Sequence, residues 1–341
     1  MEHRNIISKK QFSLKSFFFQ WEWMLVLIFI IVNIINAFLS PYYLNSRKLL
    51  DATMTFLDKA FIVLPMAFVI ILGDIDISVA STLALSAVVM AVSYNAGVPM
   101  VLAMIICLAV GTICGFINGI LIVKFKELSA VIVTLSTQII YRGIAYIILE
   151  DQASGKFPSW YRSLGWGYIG GIPIIVIVFA IFAVLYGLLL HKTTFGRYVY
   201  AMGNNITASR FSGVQVDKIK VTVFTLAGLM AAVAGLFLTS RMGSTRPNVA
   251  NGYELDVIAM VVLGGISTAG GKGRMIGAII SIFLIGFLRY GLGLVNVNSQ
   301  VLLIIIGLLL IFAVMIPNIR RIQRSSFHKA DKGTHSIEMK S

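Results

Sequence analysis

Long apolar runs separated by short polar punctuation set the pattern of the chain. Runs close to 20 residues cover Trp23–Leu39, Ser78–Asn95, Met100–Lys124, Leu128–Leu149, Ile172–His191, Val221–Arg241, Met275–Leu294 and Ser299–Pro317. Crossing hydrocarbon takes about 20 apolar residues in a helix, so these predict eight spans. Two further runs are short: Ala60–Gly73, which contains Pro65, and Glu254–Ile266, which ends in Gly264 and Gly265. The first of these reaches about 21 Å as a helix, less than a hydrocarbon core of about 30 Å. Both are expected as partial or broken spans. The predicted fold class is therefore all-α: a polytopic membrane helical bundle of about ten transmembrane helices with broken or re-entrant segments. A single permease domain is expected over residues 1–341. Its appendages would be an N-tail at 1–22, a loop at 191–220 and a basic tail at 318–341.

The polar interruptions carry the chemistry. In "VIILGDIDISVAS", Asp74 and Asp76 stand two apart beside Gly73, between two apolar runs. An ionised carboxylate in hydrocarbon is costly unless paired or wetted. A span that stops at Gly-Asp and resumes at Ser78 reads as a discontinuous helix, whose open backbone survives only where protein buries it or water fills a cavity. The second short run lies in the other half of the chain, an arrangement that points to a site at an internal pseudo-repeat. Asp74, Asp76, Ser78 and Ser81 are the candidate pathway residues, with Asn118 and Thr134 as polar wall. A second reading stands beside it: a simple turn in which Asp74 caps the following helix.

Charge then fixes the expected topology. Of 341 residues 58% are hydrophobic and 12% charged, where a soluble domain carries about 25% charged. The net charge of +14 does not read as a nucleic-acid surface, because the Lys and Arg lie between apolar runs. With the N-terminus inside, ten spans put 19 of the 28 Lys and Arg in cytoplasmic segments, as the positive-inside rule requires. Both termini are then cytoplasmic. Cys107 and Cys114 share one apolar run and read as small core residues, with no disulfide or metal framework.

Among the loops, His191 to Lys220 holds helix-start signals at Asn204 and Asn205. An amphipathic segment follows through Ile206, Ala208, Phe211 and Val214, and Gly213 can stop it. It reads as a helix offered to a cytoplasmic partner, with a basic loop lying on anionic lipid as the alternative. "GGISTAGGKGR" fails as a phosphate cradle, since Ile266 and Gly273 stand where that motif needs glycine and Ser or Thr. Its glycines suit a tight turn and close helix packing. The four His lie at tails or a span end and no catalytic constellation appears, so no enzyme is expected. Trp160, Tyr161, Trp166 and Tyr168 read as interfacial anchors, with partner docking as the alternative. Arg241, Arg246, Glu254 and Asp256 form either solvated rim charges or a docking patch.

These residues also carry a resemblance. "GDIDISVAS", "CGFINGILIVKFKELSAVIVTLSTQIIYRGIA", "FGRYVYAMGNNITASRFSGV" and "VVLGGISTAGGKGRMIGAIIS" together resemble, in order over about residues 60 to 310, the ribose/xylose/rhamnose-type sugar permeases of ABC importers. They are also similar to autoinducer-import permeases. The resemblance implies a bacterial inner-membrane subunit that pairs with a second permease subunit. It would receive sugar from a periplasmic or lipid-anchored binding protein and couple to a cytoplasmic ABC ATPase. ATP would be hydrolysed on that partner, with no cofactor held by this chain. The family's coupling segment falls on Gly196 to Gly213 and takes in Arg197, Gly203, Asn205, Ala208 and Ser212. The docking patch above would then serve the binding protein. Ala80, Gln138, Ile139 and Ser209 depart from the family pattern. "YRGIAYIILEDQASGKFPSWY" looks closest to rhamnose-type members. A branched-chain amino-acid permease and an ion-coupled secondary carrier are the alternative readings, the carrier needing no partner loop.

Overall fold

The computed structural model describes residues 21–298, 300–309, 311 and 315. The expected basic tail and most of the N-tail lie outside the described residues. So does part of the run Ser299–Pro317, of which an apolar helix at Gln300–Leu309 is described.

Among the described residues seven helices are long and apolar enough to cross a membrane: α1 (Trp21–Leu39), α2 (Ser46–Ile71), α4 (Met100–Lys124), α5 (Ala130–Leu149), α7 (Ile174–Lys192), α10 (Val216–Met242) and α12 (Met275–Leu294). Helices α3 (Val79–Asn95) and α11 (Tyr253–Leu263) are shorter. Between the long helices lie α6 (Ser159–Trp166) and two short helices at one end of the bundle, α8 (Thr194–Asn204) and α9 (Ile206–Phe211). Four two-residue strands form two small ladders at the other end: Ser154–Gly155 pairs with Ser244–Thr245, and Tyr168–Ile169 with Ile172–Pro173. The fold is a multi-pass membrane bundle. Among the described residues seven helices, against about ten expected spans, have the length and apolarity to cross.

One expectation fails at α2. The run Ala60–Gly73 is not a partial span but the second half of a continuous 26-residue helix, about 39 Å long and ample for a bilayer. Asn45 starts it early, its Oδ1 accepting from the backbone N–H of Arg47 and Lys48 at 3.1 and 3.2 Å. Pro65 sits inside without ending it, as neighbouring helices permit in a membrane bundle. Asp58 and Lys59, whose charge breaks the apolar run in sequence, are buried within it. Of the most apolar window of α2, 94% is buried, against 11% for α1. Helix α2 is the central post of the bundle, and Lys59 belongs to its core.

Close packing of α4 on α10 follows from glycine spacing. Gly111, Gly115 and Gly119 repeat every four residues, and a Cβ at Gly115 would fall 2.3 Å from the carbonyl oxygen of Phe224. In return a Cβ at Gly228 would fall 2.2 Å from that of Gly111. Small residues every fourth position let two backbones touch, which replaces the missing hydrophobic drive between helices in lipid. Cys107 and Cys114 are free, buried thiols beside this seam.

Candidate functional site

The segment 72–78 breaks the chain between α2 and α3, and the structure splits its two acids. Asp76 is 1% exposed, and its Oδ1 accepts from the backbone N–H of Ser78 at 2.9 Å and from the Ser78 hydroxyl at 2.6 Å. Asn118 Nδ2 donates to Ser78 Oγ at 2.7 Å, and the Tyr141 hydroxyl donates to Asn118 Oδ1 at 3.1 Å. Thr134 Oγ1 accepts from the backbone N–H of Ile77 at 3.2 Å, and Ser81 Oγ donates to the Ser78 carbonyl at 2.8 Å. Five of the six candidate pathway residues, Asp76, Ser78, Ser81, Asn118 and Thr134, thus form one buried polar knot that ties α4 and α5 to the break. Open backbone at this depth is satisfied by protein, as it must be. Tyr141, seven residues after Thr134 and therefore on its face of α5, is the member the sequence reading missed.

Asp74 leaves the knot. It does not cap α3; its Oδ2 stands 2.6 Å from Lys220 Nζ at the start of α10, an ionic contact rather than an aligned hydrogen bond. The pair lines a cleft of about 530 Å³. Its other walls are Gly73, the ends of α4 and α5 with Lys126 and Val131, and the face of α9 with Arg210 and Phe211. Arg210 and Asp217 close its rim with an ion pair at 2.8 Å.

The segment 191–220 holds two helices where the sequence predicted one. Thr193 Oγ1 accepts from Gly196 N–H at 3.2 Å and starts α8; Asn205 Oδ1 accepts from Ala208 N–H at 2.9 Å and starts α9. Gly213, at φ +81°, releases the chain into α10. Arg197, Asn205, Ala208, Ser212 and Gly213 are exposed, while Gly196 is buried and Gly203 half-buried. A Cβ at Gly203 would fall 1.8 Å from the Ile71 carbonyl oxygen and 2.5 Å from Gly271 N. The Gly271 N–H in turn donates to that same Ile71 carbonyl at 2.8 Å. The Tyr200 hydroxyl donates to the Gly273 carbonyl at 2.7 Å, and burial keeps that phenol protonated, pushed up to about 12. Three backbones therefore meet without side chains between them: the end of α2, the end of α8, and the loop 264–274. The glycines of that loop serve the turn and close packing.

At the other end of the bundle the four candidate docking residues do not share a surface. Arg241 and Asp256 turn inward. Arg241 Nη2 is 2.7 Å from Asp58 Oδ2, Lys59 Nζ is 2.6 Å from Asp256 Oδ2, and Arg289 also pairs with Asp256. Arg246 is exposed; Glu254 is half-buried, with Oε2 buried and without a hydrogen-bond partner. Tyr161 is no interfacial anchor either. It is buried, its hydroxyl within 2.8 Å of the Leu236 carbonyl and 2.7 Å of Thr239 Oγ1, while Trp160, Trp166 and Tyr168 stay about half exposed. Among the described residues no group of three or more His, Cys, Asp or Glu could hold a metal ion.

A buried polar break at the end of a central helix, with a cleft and two surface helices beside it, is the site geometry of a multi-pass membrane protein. The chain belongs to the family described as branched-chain amino acid transport system / permease component, which matches residues 49–314. It is 40% identical over 291 residues to the ribose import permease protein RbsC of Bacillus subtilis, covering 85% of this chain and 90% of that one. The ribose import permease protein RbsC of Haemophilus influenzae is 36% identical, covering 86% and 91%. The autoinducer 2 import system permease protein LsrD of Escherichia coli is 33% identical, covering 86% and 91%. No solved structure matches the chain.

Proposed function

We propose that this chain is the transmembrane permease subunit of a bacterial ATP-driven importer for a simple sugar, ribose first among candidates. It moves the sugar inward across the inner membrane by alternating access. The observation that carries this is 40% identity to a ribose import permease over 85% of the chain. The relatives compared are named as permeases, which agrees with a chain that performs no bond chemistry. Names with ribose and autoinducer 2 favour a sugar-like polyol over the branched-chain amino acid of the family description, and lend nothing to the rhamnose cue in residues 141–161.

In this reading the end that carries α8 and α9 is cytoplasmic, as are both termini, and ten crossings result when α3, α11 and the final helix are counted. The exposed residues of α8 and α9 meet an ABC ATPase, which holds and hydrolyses the ATP. A sugar-binding protein docks at the opposite end, where Arg246 and Glu254 remain available while Arg241 and Asp256 serve inside the bundle. A second permease subunit completes the pathway.

The test is D-ribose uptake by proteoliposomes holding the permease with its neighbouring ATPase and binding protein. Uptake should require internal ATP and loaded binding protein together. Uptake by this chain alone, driven by an ion gradient, would establish a secondary carrier instead.

A further inference from the structure

Along α5, Val131, Gln138 and Arg142 are each half-buried. Spacings of seven and four bring them back to one flank of the helix. That flank borders the buried face made by Thr134, Thr137, Tyr141 and Ala145, which supports the break at 72–78 through Thr134. At the stripe's lower end Val131 lines the cleft that Asp74 and Lys220 share. At its upper end Arg142 Nη1 donates to the carbonyls of Pro247 and Val249 at 2.5 and 2.8 Å and interacts electrostatically with Glu254. One helix flank thus runs from the cleft to the loop at the far end.

Gln138 stands in the middle of that flank and of the span, about 10 Å along the axis from Val131. Its side-chain amide has no hydrogen-bond partner among the described residues. Other polar side chains on the outer faces of the spans are quiet: Thr112 and Ser136 return their hydroxyls to the carbonyls of Leu108 and Ile132 at 2.6 and 2.9 Å. An amide left unbonded at membrane depth cannot face lipid tails without large cost. Water, substrate or a second copy of the chain must satisfy it.

We propose that Gln138 faces the water-filled translocation path and reads the hydroxyls of the sugar in transit. This rests on the sugar-import reading above. An amide presents a donor and an acceptor side by side, the complement of two neighbouring hydroxyls. The path is favoured over a contact between copies because the same flank opens into the cleft below and carries Arg142, with Glu254 in electrostatic reach, above.

The experiment uses the whole importer in membrane vesicles, with Cys107 and Cys114 replaced by Ala. Gln138→Cys is compared with Ile181→Cys, which lies on the apolar outer face of α7 at 62% exposure. The probe is a charged, water-soluble methanethiosulfonate. Gln138→Cys should label at least tenfold faster than Ile181→Cys, and D-ribose delivered by the binding protein should slow that labelling several-fold. Labelling as slow as the Ile181 control, a disulfide between two copies through residue 138, or labelling indifferent to sugar would each overturn the inference. As a second measurement, Gln138→Leu should raise the KM of uptake tenfold or more while binding-protein-stimulated ATP hydrolysis persists; Gln138→Asn should restore part of it. An unchanged KM in Gln138→Leu counts against it as well. Uptake by the unaltered importer is read in parallel. If that importer moves sugar and residue 138 is inert, only the present inference falls; if it moves none, the sugar reading falls and takes this inference with it.

Discussion

Lys59 Nζ lies 2.6 Å from Asp256 Oδ2, with both side chains less than a tenth exposed. The pair joins the central post α2 to the half-length helix α11, and Lys59 also sits 4.4 Å above the Tyr253 ring. Because Arg289 shares the same carboxylate, Asp256 neutralises two cations at once. Removing one partner of a buried pair costs about 3–5 kcal/mol, since it strands a charge. Asp256→Ala is therefore expected to lose most folded protein in thermal melts of the detergent-solubilised chain. Lys59→Met leaves Asp256 with Arg289 and should lose less. Equal losses would mean that Asp256 is not the shared hub.

Asp74 and Lys220 connect the helix break to the start of α10 at one rim of the cleft. At 15% exposure each, the pair lies between surface and buried regimes, so a coupling energy of about 1–2 kcal/mol is expected. Asp74→Asn and Lys220→Met should each slow uptake, and the double variant should be no worse than either one. Additive losses in that double-mutant cycle would show that the two residues act separately.

Gly203 and Phe211 separate fold from partner binding. Gly203→Ala places a Cβ on the Ile71 carbonyl oxygen, so the loss should appear as reduced protein in the membrane. The Phe211 ring is 89% exposed, at the wall of the cleft. Phe211→Ala should leave the melting temperature unchanged while weakening association with the ATPase by about 2 kcal/mol, roughly 30-fold, as for an aromatic hot spot. Pull-down of the ATPase at equal permease levels decides it; undiminished capture would remove Phe211 from the interface.

The knot around Asp76 should respond to the loss of one hydroxyl at Tyr141. That hydroxyl is the donor to Asn118 Oδ1, so Tyr141→Phe leaves a buried acceptor unsatisfied at about 1–3 kcal/mol. Asn118→Ala removes two bonds, at about 1 kcal/mol each, but strands neither partner: Ser78 Oγ keeps Asp76 and the Tyr141 hydroxyl keeps the Cys114 carbonyl. In the double variant no Asn118 acceptor remains to be stranded, so it should lose less than the sum of the two single losses; additive falls in melting temperature would place the two residues outside one network.

The helix positions and the special status of "GDIDIS" were legible because hydrophobic length and intramembrane charge are local signals. The two-helix form of 191–220 was half legible: Asn205 is a visible cap, but Thr193 lies before the segment the apolar pattern drew attention to. Helix α2 was misjudged because Asp58 and Lys59 depress the hydropathy of its first half, and their partners Arg241 and Asp256 lie in segments that look like a rim. Lys59, like Asp74, is a charge beside an apolar run that needs a partner, and that need is visible in the sequence even though the partner is not. Tyr161 was misassigned because composition cannot tell an aromatic that faces lipid headgroups from one whose hydroxyl meets a helix carbonyl.

The charges of α2 also impose an order on biogenesis. Asp58 waits for Arg241, 183 residues further on, and Lys59 for Asp256, 197 residues further on. At roughly 5–20 residues per second of synthesis, the nascent helix spends about 10–40 s with its neutralising partners not yet made. During that interval the segment cannot rest alone in lipid. It must be held by the insertion machinery or lodged shallowly, and the molecule closes around its own centre only when the last third of the polypeptide arrives.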